Sequence, residues 1–175
     1  GRDHLCPKRR HLYHFGQTRM IKLICVGKLK EKALISLVDD YLKRIQPYHK
    51  IAVLELSDEP NGDNPALNLK AVETESKAIL SAISPEEWVI LLDLKGQPLS
   101  SPMLAQTLQN AFNRSVKTLV FVIGGSLGVS DEVRQRANLI WKLSDNTFPH
   151  GLVRLLLTEQ LYRSFKILSN QTYHK

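Results

Sequence analysis

The chain has no apolar run long enough to cross a membrane. A span needs about 18–20 consecutive apolar residues, and the longest runs here, "WVILL" and "TLVFVI", are strand-sized. Cysteine is scarce: Cys6 and Cys25 show neither metal-ligand spacing nor a disulfide framework. A reducing, cytoplasmic setting is therefore expected, with no metal. No G-x-G-x-x-G follows the first strand-like segment, which ends "VGKLK", and no Walker A loop occurs. These absences argue against a dinucleotide fold and a P-loop. A strong charge is lacking too. Lys and Arg number 24 against 17 Asp and Glu, but five of the basic residues and one acid fall in residues 1–19. From Met20 onward the excess is three, which permits an RNA partner without requiring one.

Residues 1–19 carry no apolar period and no signal-peptide core. We read them as an extension, remnant or basic leader outside the fold, and residues 20–175 as one domain. Within that domain, short apolar segments alternate with helical stripes. Strands are expected over 20–27, 51–56, 88–94, 118–123 and 139–143. Helices are expected over 31–46, 66–83 and 101–113, after Ser130, and from Pro149 as first helical residue to about Leu168. Continuously apolar strands alternating with helices imply an α/β fold with a mostly parallel sheet covered on both faces. Ligands bind such sheets outside the carboxyl ends of the strands.

Three loops should meet at that edge: 93–100, 124–131 and 144–151. Gly124-Gly125 reads either as a tight turn or as a loop that lets backbone approach a ligand. At about 100° per residue, Arg154 falls on the apolar side of the last helix with Leu157, Thr158, Leu161 and Phe165. It is either an ion-paired structural cation or an anion clamp for an RNA phosphate. Glu159 and Arg163 are expected to form a solvated i,i+4 pair. His150, at the start of that helix, is a polar surface residue or a proton acceptor. The tail "NQTYHK" is a loose end or a group that stacks on a base and contacts phosphate.

Several segments in order carry a resemblance: "IKLICVGKLKE", "LLDLKGQPLSS", "FVIGGSLGVSDEV", "LSDNTFPHGLVRLLLTEQLYRSFKI" and a terminal "YHK". Together they resemble the bacterial 23S rRNA pseudouridine N3-methyltransferase family, of the knotted SPOUT class, from Met20 to Lys175. The resemblance implies a C-terminal trefoil knot, a homodimer and S-adenosylmethionine (SAM) as methyl donor. The implied substrate is a pseudouridine of large-subunit rRNA on assembled ribosomes. Matching positions imply SAM contacts at Leu92, Gly124, Leu143, Ser144, Asp145, Asn146, Thr147 and Phe148, with Asp145 and Asn146 acting through backbone. Arg154, Tyr173, His174 and Lys175 are expected to hold the RNA. His150 and Arg154 are the candidate catalytic residues, and His174 or water could also take the N3 proton. Two alternatives remain: a knotted methyltransferase acting on tRNA, which RNA mass analysis would reveal, and a non-catalytic RNA-binding ribosome-assembly module, which would not bind SAM.

Overall fold

The computed structural model describes residues 20–170. In chain order the elements are β1 (Met20–Val26), α1 (Lys32–Ile45), β2 (Ile51–Leu56), α2 (Pro65–Ser81), β3 (Trp88–Pro98), α3 (Ser101–Asn113), β4 (Thr118–Ile123), α4 (Asp131–Arg136), β5 (Leu139–Lys142) and α5 (His150–Leu168). The strands form one parallel sheet in the order β2-β1-β4-β3-β5.

Successive residues of a strand point to opposite faces, and here both faces are buried. Ile21, Leu23 and Cys25 of β1, with Leu119 and Phe121 of β4, pack against α1, α3 and α5. Ile24 and Val26, with Val120 and Val122, pack against α2 and α4. That explains why these strands read as unbroken apolar runs. Phe112 and Phe165 stack across the first layer, with ring centroids 6.2 Å apart. Burial pushes the Cys25 thiol up to about 11, against the pull of nearby Arg154, so the thiol is an inert core group.

Four details differ from the sequence expectation. Asn64 caps α2, accepting from the Ala66 and Leu67 amides, so the helix begins at Pro65. Pro149 is the cap of α5, not its first helical residue. Its ψ is extended at 149°, and its carbonyl already accepts from the Val153 amide, which makes His150 the first helical residue. Glu159 and Arg163 do pair, at 2.9 Å, but at 16% and 24% side-chain exposure they are half-buried and not solvated.

The fourth difference bears on the site. β3 runs on to Pro98, and Trp141 of β5 pairs with both Leu92 and Gln97 of β3. Residues 93–96 thus bulge around β5 where it passes. Gly96 lies against the Ile140 backbone: a Cβ there would stand 2.5 Å from the Ile140 carbonyl carbon and oxygen. Beyond β5 the chain returns to lay α5 across the other helices of the first layer.

Candidate active site

Because the sheet is parallel, the bulge of β3 and the loops after β4 and β5 open on one edge. They enclose a cavity of about 390 Å³, within the range of small-molecule and cofactor sites. Its lining is mostly apolar side chains and glycine backbone. Seven of the eight expected contact positions lie on it: Leu92, Gly124, Leu143, Ser144, Asn146, Thr147 and Phe148. Asp145 does not. Its exposed carboxylate turns outward to Lys142, at 2.6 Å, and that ammonium holds its pKa below the usual range.

The glycine loop is shaped by close approach. A Cβ on Gly124 would stand 2.6 Å from Val129 Cγ1, and one on Gly125 would strike the Glu75 carboxylate. Gly128 has a positive φ of 83°, a conformation glycine adopts without cost. The Ser130 amide donates to Ser76 Oγ of α2 at 2.9 Å, fixing the far end of the loop. Across the cavity, Arg134 of α4 donates to Asp93 at 3.1 Å and 3.3 Å. This pair, absent from the sequence reading, ties the β3 bulge to the opposite wall.

A second cleft of about 280 Å³ adjoins the first, at the crevice between β1 and β4. Gly125, Ser126 and His150 line both. Arg154 sits here, 8% exposed. It donates to Glu55 Oε2 at 2.5 Å and to the Gly27 carbonyl at 3.1 Å. Burial raises the Glu55 carboxyl, but the bonds from Arg154 and from the Leu29 amide outweigh it, and the net shift is downward. The cation of the apolar helix face is thus ion-paired, tying the ends of β1 and β2 to α5.

His150 stands where the two cavities meet. Its Nδ1 is buried without a hydrogen-bond partner among the described residues. Burial, then the positive charge of Arg154, lowers its pKa from the ordinary 6.5, against a weaker pull from Asp58. The ring is therefore neutral near pH 7 and can accept a proton. Tyr173, His174 and Lys175 lie outside the described residues.

Residues 20–174 match a family model described as "Predicted SPOUT methyltransferase". The chain belongs to the SPOUT methyltransferase family. SPOUT relatives at 44% identity include the ribosomal RNA large subunit methyltransferases H of Desulforamulus reducens and Carboxydothermus hydrogenoformans. Each aligns over 157 residues, 89% of this chain, and 98% and 99% of the relatives. Among solved structures, a probable methyltransferase from Bordetella pertussis has a similar fold, with a TM-score of 0.51. It is 12% identical, and the match covers 89% of this chain and 98% of that one. Among the described residues of this SPOUT chain, no cluster of His, Cys, Asp or Glu is placed to hold a metal ion. No helix there is long and apolar enough to cross a membrane.

Proposed function

We propose that this chain transfers the methyl group of SAM to N3 of a pseudouridine in large-subunit rRNA on the assembled ribosome. One observation carries the reading: the lining of the cavity holds seven of the eight positions the family motif assigns to SAM. The residues suit that molecule. Glycines 124 and 125 let the loop pack directly on Val129 and Glu75 at the cavity wall, and Leu92, Ile123 and Phe148 offer apolar walls to an adenine ring. The names of the 44% identical relatives support rRNA of the large subunit as substrate.

SAM supplies a methyl on a cationic sulfonium, open to in-line attack. The chain's own task is to hold the acceptor close and aligned, an effect worth several kcal/mol, and to accept the N3 proton. His150 is assigned that proton, because the residue lines both cavities where they meet. Arg154 lines the second cleft and steers the RNA there with whatever donors its pair with Glu55 leaves free. Tyr173, His174 and Lys175 are assigned to RNA as well, from the partner of a homodimer. Leu94, 60% exposed, and Leu127, 40% exposed, leave apolar surface at the cavity rim that a second copy would cover.

A trefoil knot belongs to this reading. Its support is the double pairing of Trp141 with Leu92 and Gln97 and the seating of Gly96 on the Ile140 backbone.

Titration calorimetry tests the donor assignment first. SAM should bind the purified chain with about one site per chain at micromolar affinity, roughly 8 kcal/mol. Absence of binding would remove the reading and favour a non-catalytic module.

A further inference from the structure

The second cleft holds a group that the reaction as described leaves unused. Glu75, in the middle of α2, is 4% exposed. Its Oε2 accepts from the Glu59 amide at 2.8 Å. Its Oε1 has no hydrogen-bond partner among the described residues, and the residue lines the cleft directly beside Gly125. The cleft's other carboxylates differ: Glu31 and Asp58 are exposed, and Glu55 answers Arg154 from outside the lining. Glu75 is thus the one buried carboxylate that the lining offers to a ligand.

We propose that this cleft receives the flipped-out base and that Glu75 Oε1 accepts a hydrogen bond from N1–H of pseudouridine, selecting it against uridine. The inference rests on the function proposed above and names what makes that site specific. Enzymes that act on a base within folded nucleic acid extrude it into an adjacent pocket, and this cleft is nucleoside-sized and shares its rim with the donor cavity. In uridine the ring nitrogen N1 carries the sugar. In pseudouridine the sugar is on carbon, so N1 bears a hydrogen, and this extra donor is the chemical difference between the two bases. N1 and N3 flank the same carbonyl carbon and point apart. A ring whose N1–H meets Glu75, beside Gly125, therefore turns N3 away from that carboxylate. A buried acceptor built for an N–H rejects the analogue that lacks it, because its own polar atom is then left unpaired. The carboxyl's pKa is raised, by burial first and then by nearby Asp58 and Glu59, against the Glu59 amide bond. The group sits in the poorly solvated setting where such discrimination is strongest.

The test uses the full chain, labelled SAM, and two ribosome preparations, one bearing pseudouridine and the other uridine at the acceptor position. Wild-type protein should transfer methyl to the pseudouridine ribosomes about 100-fold faster or more. Glu75→Gln keeps shape but has one acceptor oxygen, which the Glu59 amide retains. Its rate on pseudouridine should fall about 100-fold while its rate on uridine and its SAM affinity stay unchanged. The rate ratio is independent of how much protein is folded. A variant that keeps the preference, or loses both rates equally, overturns the inference and leaves Glu75 a loop support. A wild-type protein that labels neither preparation fails the underlying function, and the inference falls with it.

Discussion

Gly96→Ala is expected to destabilise the protein by about 3 kcal/mol, at the upper end of what overpacking usually costs. The added Cβ would lie 2.5 Å from both the carbonyl carbon and oxygen of Ile140, and 2.8 Å from Ile140 Cγ2. Two of those three atoms are backbone within a paired strand, so no rotamer change relieves the contact. Relief requires β5 to move away from the bulge of β3, which would break the pairing of Trp141 with Gln97. Trp141 is 2% exposed and packed in the main core, so that movement opens the core as well. Urea unfolding of the variant should show the loss, and trimming Ile140 to Ala in the same chain should not restore it. A cost under about 1 kcal/mol would mean that the bulge does not grip β5 as described.

His150→Ala should lower the rate of methyl transfer by about 100-fold, the usual contribution of a positioned acid or base, with SAM affinity nearly unchanged. The pH dependence supplies a second signature. Burial and the Arg154 guanidinium disfavour the imidazolium, with Asp58 opposing weakly. A lowered pKa keeps the base form present to more acidic pH. The wild-type kcat/KM should therefore stay level as pH falls through the ordinary histidine value of 6.5 and decline only below it. A decline centred above 6.5, or an alanine variant with full activity, would remove His150 as proton acceptor and leave water or His174.

The fold was legible in the sequence because it rests on burial. A strand with both faces covered must be apolar at nearly every position, as β1 and β4 are. The Arg154 face was legible for a related reason: a charge among Leu157, Leu161 and Phe165 breaks an apolar stripe, and the structure supplies Glu55 as its partner. Glu75 gives the same kind of signal between Ala71 and Ile79, one turn away on either side. The Asp93–Arg134 pair joins residues 41 apart in the chain, and neither local period nor composition reports such a contact. The wrapping of β3 around β5 is equally silent, since a chain crossing leaves no mark in hydrophobic periodicity. The convergence of the ends of β4 and β5 with β3 on one cavity follows from parallel strands alone, although the stretch expected as the first loop, 93–100, is mostly strand.

The most direct measurement of the central claim is transfer of labelled methyl from SAM to purified ribosomes that lack the modification, with free rRNA and tRNA alongside. The account predicts label on assembled ribosomes only, mapping to N3 of one pseudouridine in large-subunit rRNA. Label on tRNA, or none on ribosomes although SAM binds, would contradict it.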